Sequence, residues 1–281
     1  MTVASGAADT GHVVAAITFI DPLNEKPFSY TYEPPVGRPW RNATYSAHNV
    51  AVHDARRLNE APTLDSAGFA LAPSTTSVRD FYDDAEVRAT YYPEVERLVL
   101  AATGAERVVV FDHNVRNAAR AARGDSDTRE PVTRVHNDYT LTSAPKRLFD
   151  LLPPDEALAR VKNRFAIVNV WRPIRGPVQN APLAVADARS LTQDDFIASD
   201  LIFLDRIGET YAVKHGSTQR WFYYPQMRRD EVLFLKCYDS ATDGRARFTA
   251  HGAFDDPTAP SDAPPRESIE ARTLVLFPPT S

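Results

Sequence analysis

The chain has 281 residues, 43% of them hydrophobic and 25% charged, and a formal net charge of -5. This is an ordinary globular composition, long enough to bury a sizeable core, and it shows no basic block of the kind that binds nucleic acid. The single cysteine, Cys237, excludes a disulfide framework and thiolate-held zinc or iron–sulfur sites. No apolar run approaches membrane-spanning length, and no basic stretch followed by an apolar one opens the chain. A cytoplasmic protein is expected, with neither a nucleic-acid nor a membrane partner.

Residues 1 to about 12 are small and polar and read as a loose tail. Val13 to Ile20 reads as a strand. A proline-punctuated tract follows, in which Tyr30 and Tyr32 alternate as in an edge strand. His53 and Asp54 are direct neighbours, so on a strand they diverge and make a poor chelate. From about Ser77 to Thr103 the apolar spacing is helical: Val78, Phe81 and Tyr82, then Val95, Leu98 and Val99. Two helices broken near Tyr92-Pro93 are expected, with Gly104 as the stop signal.

Arg107 to Phe111 reads as a compact strand, and Gly124 to Glu130 as a mobile loop. Lys146 to Asn163 reads as a helical insertion interrupted at Pro153-Pro154, with Leu158 and Val161 pointing inward. Phe165 to Pro173 is strongly strand-like. Short strands follow at Pro182 to Ala186, Thr210 to Val213, Arg220 to Tyr224, Val232 to Cys237, Arg247 to Ala250 and Ser268 to Phe277. Many short strands with helices gathered earlier predict a jelly-roll or barrel with flanking helices. One elaborated domain, 1–281, is expected, with an N-terminal extension of about 1–68 and a core of about 69–277.

The segment Arg134 to Thr140 holds a His-x-Asp pair. Residues i and i+2 of a strand share a face, so His136 and Asp138 can reach one metal ion together. An imidazole and a carboxylate are two thirds of the 2-His-1-carboxylate triad that holds non-haem Fe(II). Two surface residues would give the same pair, so a third ligand has to decide, and His251 is the candidate. Downstream, Arg266 and Ser268 form an Arg-x-Ser pair. The arginine fork can hold a carboxylate by two parallel bonds, and the hydroxyl can add another. A salt bridge from Arg266 to Glu267 or Glu270 is the competing reading. In this order, His-x-Asp, His and Arg-x-Ser match the arrangement in Fe(II)/2-oxoglutarate oxygenases.

Several segments resemble a family of natural-product hydroxylases and desaturases. That family includes fungal AsaB-type enzymes, a gibberellin desaturase and the small component of bacterial cephamycin 7α-methoxylation. The matching text includes Tyr91-Tyr92-Pro93-Glu94, Phe111-Asp112-His113, Val135-His136-Asn137-Asp138 and Asn169-Val170-Trp171-Arg172-Pro173. It continues through Arg220-Trp221-Phe222-Tyr223-Tyr224, Tyr238-Asp239-Ser240, His251 to Phe254 and Arg266-Glu267-Ser268-Ile269-Glu270, so that it spans roughly 69–277. The resemblance implies a double-stranded β-helix (jelly-roll, cupin-like) oxygenase using Fe(II), O2 and 2-oxoglutarate. The expected activity is hydroxylation, desaturation or oxidative cyclisation of a small metabolite in natural-product biosynthesis. The cephamycin relative keeps a second reading open, a non-catalytic partner subunit of the same fold. An iron oxidase that does without 2-oxoglutarate is a third.

Around the ligands, Tyr139 and Phe254 are expected to wall the pocket and Arg172 to meet the substrate. Arg272 competes with Arg266 for the co-substrate carboxylate, and His113 is expected to be structural. The cationic supply of Arg116, Arg172 and Arg272 suggests a carboxylate-bearing substrate, amino-acid derived. A homo-oligomer and a partner oxygenase subunit both stay open.

Overall fold

The computed structural model describes residues 11–125 and 128–279. The tail expected over residues 1 to about 12 thus lies almost wholly outside the described residues, as do Ser126 and Asp127 of the expected loop. In chain order the strands are β1 (His12–Ile20), β2 (Phe28–Tyr30), β3 (Tyr45–Asp54), β4 (Phe69–Pro73) and β5 (Arg107–Asn117). The short β6 (Thr128–Arg129) and β7 (His136–Asn137) precede β8 (Phe165–Pro173), β9 (Leu183–Ala186) and β10 (Phe196–Ile202). Then come β11 (Ile207–Val213), β12 (Trp221–Tyr223), β13 (Glu231–Asp239), β14 (His251–Ala253) and β15 (Glu267–Leu276).

These strands form two sheets. One runs β1-β3-β12-β9-β14-β7-β11-β10-β2, and the other β4-β13-β8-β15-β5-β6. The space between them is filled by a cluster that draws Leu183, Val185 and Phe222 from the first sheet and Phe165, Ile167, Leu235 and Leu274 from the second. The fold is the expected double-stranded β-helix. β1 and β3 extend the nine-stranded sheet through the parallel pairing of β3 with β12, and β2 lies at its edge, where the tyrosine alternation places it.

β8 explains why its sequence reads so clearly. All nine residues are buried, because both faces of the strand are covered. Phe165 and Ile167 face the inter-sheet core. Ala166, Val168 and Val170 face a second cluster, in which Val95 and Val99 of a helix lie on Val108, Val110, Ile269 and Val275. That helix is the last part of a continuous unit: α1 (Asp84–Glu86), a wide π turn (Val87–Tyr91) and α2 (Tyr92–Thr103). Asp83 caps its start by accepting from the N–H groups of Ala85 and Glu86. Gly104, at φ 65, ends it.

The helix is not broken at Pro93. The wider turn before it accommodates a ring that would clash with a carbonyl in a regular helix. Val78, Phe81 and Tyr82, expected on a first helix, precede it in irregular chain. Val78 and Phe81 are buried in the same cluster as α2, so their spacing came from packing, not from a helix.

A short helix α3 (Ala118–Ala121) follows β5. The insertion after β7 forms α4 (Ser143–Leu151) and α5 (Pro154–Arg160), separated at Pro153-Pro154 as expected. Their inward residues are Ala144, Leu148 and Ala157, which join the inter-sheet core with Phe165 and Leu276. These flanking helices pack their buried faces against that core. Leu158 points outward and is 54% exposed. Arg247 to Ala250, expected as a strand, is irregular, and His251 begins β14.

Candidate metal centre

β7 and β14 are antiparallel neighbours, and His136 stands opposite His251 in their register. Residues paired in this way share a face, which brings two imidazoles together from opposite halves of the chain. Their ring centroids are 4.6 Å apart. Just beyond β7, Asp138 brings Oδ1 to 3.5 Å from His136 Nε2. Ligand atoms of His136, Asp138 and His251 all lie within 4.8 Å of one another, a spacing one ion can bridge.

Each ligand is oriented by a second contact. His136 Nδ1 faces the Arg134 carbonyl at 2.9 Å, and His251 Nδ1 faces the Thr249 carbonyl at 2.9 Å. A carbonyl oxygen only accepts, so both Nδ1 atoms carry the proton and both Nε2 lone pairs are free for a metal. Asp138 is divided likewise. Its Oδ2 accepts from Asn169 Nδ2 at 2.7 Å and from Arg272 Nε at 2.9 Å, which leaves Oδ1 on the histidine side.

Charge suits this role. Burial would raise the Asp138 pKa, but Arg272 and the two imidazoles outweigh it and hold the carboxyl far below its usual range. Burial, with His251 beside it, pushes His136 down to about 4 against the pull of Asp138. At neutral pH Asp138 is therefore a carboxylate and His136 a neutral imidazole, the protonation states a divalent ion requires of them.

Asn137, which the sequence left without a role, is fully buried between the ligands. Its Nδ2 donates to the carbonyls of Tyr139 and Cys237, and its Oδ1 accepts from the Thr249 N–H. One side chain thus ties β7 to β13 and to the residue whose carbonyl orients His251. Asn169, in the segment Asn169-Val170-Trp171-Arg172-Pro173, holds Asp138. Arg272, expected as a competitor for the co-substrate, instead bonds Asp138, Glu270 and Asp112. Burial opposes its charge, and those three carboxylates more than offset that and keep it charged.

Ser268 lies on β15, the strand that carries Arg272, and Arg266 immediately precedes that strand, two residues from Ser268. Both are buried. Neither the expected metal nor the expected co-substrate is needed to see that something anionic fits here. Arg266 Nε and Ser268 Oγ have no hydrogen-bond partner although both are out of water. Among the described residues Arg266 donates only to the Ala181 carbonyl, at 2.5 Å, and makes no bridge to Glu267 or Glu270. Burial, then Arg116, pulls its pKa down to about 9. A buried guanidinium without a counter-charge is costly, and a carboxylate would remove that cost.

Asp138 and Arg272 also line the inner end of a cleft of about 360 Å³. Tyr139, α4 residues including Arg147, and the β10–β11 hairpin with Leu201, Phe203 and Ile207 form its walls. Tyr139 is thus a wall residue of this cleft. Two other expected substrate residues are not. Arg172 is fully buried on the opposite face of β8, where it donates to the Ser74 and Arg229 carbonyls, Ser74 Oγ and Tyr91 Oη. It alternates out of the inter-sheet space because its neighbours Trp171 and Pro173 alternate in. Phe254 packs edge-on against Tyr223, in a separate cluster with Ile17 and Trp221. His113 bonds Tyr92 Oη through Nδ1 at 3.0 Å and takes no part in the metal set.

A curled two-sheet β-fold carrying two histidines and a carboxylate on adjoining segments defines the class of non-haem iron oxygenases. More particularly, the chain belongs to the family described as oxidoreductase/YMDC permease-like domain, whose model matches residues 17–276. It is 34% identical to the Fe(II)/2-oxoglutarate-dependent dioxygenase nvfI of Aspergillus novofumigatus, over 88% of this chain and 90% of that protein. It is 33% identical to the hydroxylase/desaturase efuI of Hormonema carpetanum, over 83% of this chain and 85% of that one. The solved structure of the iron and alpha-ketoglutarate-dependent endoperoxidase NvfI superposes with a TM-score of 0.87 at 31% identity, covering 95% of this chain and 98% of that chain. These relatives agree with the hydroxylase/desaturase family that the sequence resembles. Among the described residues no helix is long and apolar enough to cross a membrane.

Proposed function

We propose that the protein is an Fe(II)/2-oxoglutarate-dependent oxygenase that hydroxylates, desaturates or oxidatively cyclises a small metabolite in natural-product biosynthesis. One observation carries the reading. Three ligands converge on the nine-stranded sheet, and on the facing sheet Arg266 Nε and Ser268 Oγ stand buried without partners. His136, Asp138 and His251 would hold Fe(II), and Arg266 with Ser268 would hold the distal carboxylate of 2-oxoglutarate. The bound metal, with 2-oxoglutarate and O2, supplies the oxidising chemistry. The chain's own residues fix and orient these groups. Asn169 and Arg272 keep Asp138 turned to one side, and the Arg134 and Thr249 carbonyls keep the imidazoles in one tautomer. Tyr139 closes the wall beside Asp138.

The substrate reading keeps a carboxylate-bearing metabolite, amino-acid derived, but moves its anchor. Arg172 faces away and Arg272 is already neutralised by three carboxylates. Arg147 lines the cleft, lies over the Phe111 ring at 5.4 Å, and has no carboxylate partner among the described residues. Its guanidinium would receive the acid, and Leu201, Phe203 and Ile207 the apolar body.

Turnover of 2-oxoglutarate to succinate, measured with and without Fe(II), tests the central claim. Iron-dependent succinate formation that disappears in His251→Ala is expected. Oxygen uptake that needs iron but not 2-oxoglutarate would mean an oxidase. Absence of stoichiometric iron after anaerobic loading would mean a non-catalytic partner subunit.

A further inference from the structure

Arg266 is not the only cation on the inner face that lacks a carboxylate. In the antiparallel register of β5 and β15, Arg116 stands directly opposite Ser268. Opposite residues of such a pair project side by side from the same face, with Cβ atoms about 4.5–5.5 Å apart. Arg116 therefore rises next to the orphaned Ser268 hydroxyl, with Arg266 two residues along. One of its Nη1–H groups donates to the Glu130 carbonyl at 2.8 Å. Its Nε and Nη2 have no partner among the described residues. Glu270, the acidic side chain nearest in that row, is taken by Arg272 at 3.1 Å.

The two arginines also act on each other. Burial disfavours the charge on Arg266, and the next largest influence against it is Arg116. Burial likewise pulls Arg116 down, against the opposing pull of Glu270. Two guanidinium groups and a free hydroxyl side by side on the inner face are mutually unfavourable as they stand. A single anion between them satisfies all three.

We propose that Arg116 is a second co-substrate-binding arginine, which shares with Arg266 and Ser268 the distal carboxylate of 2-oxoglutarate. The placement opposite Ser268 selects that carboxylate over the end of the molecule that reaches the metal ligands. The inference rests on the co-substrate reading above, and it makes specificity for a five-carbon diacid the work of a three-point clamp.

The test is calorimetric binding to the Mn(II)-loaded protein with two probes. 2-Oxoglutarate carries both carboxylates, and 2-oxovalerate keeps the metal-chelating 2-oxo acid but ends in a methyl group. Arg116→Gln should weaken 2-oxoglutarate roughly tenfold or more, the loss of at least one charge-assisted bond, and leave 2-oxovalerate unchanged. Retained 2-oxovalerate binding also shows that the variant is folded and its metal site intact. Arg116→Lys, which keeps the charge without the fork, should fall between the two proteins. An unchanged 2-oxoglutarate affinity in Arg116→Gln overturns the inference alone, and so does an equal loss of both probes, which would put Arg116 at the metal end. Failure of the unsubstituted protein to bind 2-oxoglutarate would overturn the co-substrate reading, and this inference with it.

Discussion

Arg272 and Asp138 share a hydrogen bond of 2.9 Å from Nε to Oδ2, on the side of the carboxylate turned away from His136. The same oxygen accepts from Asn169. The carboxylate is thus pinned through one oxygen and presented through the other, so a metal meets a group that has already lost its rotational freedom.

Removing that pin should weaken metal binding. Arg272→Met is expected to lower affinity roughly 10–100-fold, the usual effect of losing a partner that orients a ligand. Titration with Mn(II), alongside thermal unfolding of the metal-free protein, separates orientation from general destabilisation. Unchanged metal affinity would show that Asn169 alone suffices.

Arg266 and Ser268 should matter for the co-substrate and not for the metal. Arg266→Ala is expected to keep Mn(II) affinity and to raise the KM for 2-oxoglutarate, because each charge-assisted bond contributes about 1.5–3 kcal/mol. Ser268→Ala should raise it less, since a neutral hydroxyl is lost. An Arg266→Ala protein with an unaltered KM would remove this residue from the site.

Asn137 should be a stability hot spot. Asn137→Ala leaves the Thr249 N–H and the Tyr139 and Cys237 carbonyls without their bonds in a region sealed from water. Stranding a buried polar group costs about 1–3 kcal/mol. Urea unfolding should therefore show a loss of at least one such increment, together with weaker metal binding as His251 loses its register with His136. A variant as stable as the parent would contradict the tie described between β7 and Thr249.

Alkaline stability should depend on Tyr82. Burial raises its phenol; Asn117 donates to the oxygen and lowers it, Glu267 accepts its proton at 2.5 Å and raises it, and the result is about 12. The folded pKa lies above the unfolded value near 10, so this contribution is complete below about pH 10 and is lost as pH rises towards 12. Tyr224, raised to about 12 by burial, adds to the same window. Phenolate absorbance of the folded protein should show late-ionising tyrosines, and Tyr82→Phe should remove one of them. Titration of every phenol near pH 10 would refute the shift.

The sequence was most legible where a local pattern and the final environment coincide. β8 is apolar on both faces and is covered on both, so its text alone marks it. The His-x-Asp spacing works because i and i+2 share a face even though β7 itself has only two residues. Legibility failed where partners are remote. β10 was not seen because its residues are only partly buried at one end of the nine-stranded sheet, so its alternation is weak. Val78 and Phe81 mimicked a helix because irregular chain can bury two residues on one wall. A strand end suggests the pocket for Arg172 and closeness in sequence to His251 suggests it for Phe254, but strand alternation and sheet packing send both elsewhere. Nothing local in Asn137, Asn169 or Arg116 announces their partners, which lie on other strands.

Both metal-facing imidazoles are keyed to the main-chain carbonyl two positions earlier in their own segment, and neither leans on another side chain for its tautomer. Such a lock travels with the backbone and is indifferent to the identity of most surrounding residues. The cleft-facing side chains of the β10–β11 hairpin and α4 can then change freely, since the imidazoles take their tautomer from the Arg134 and Thr249 carbonyls. A lineage built on this plan can explore new substrates by ordinary drift in its walls while its reactive centre stays in working order.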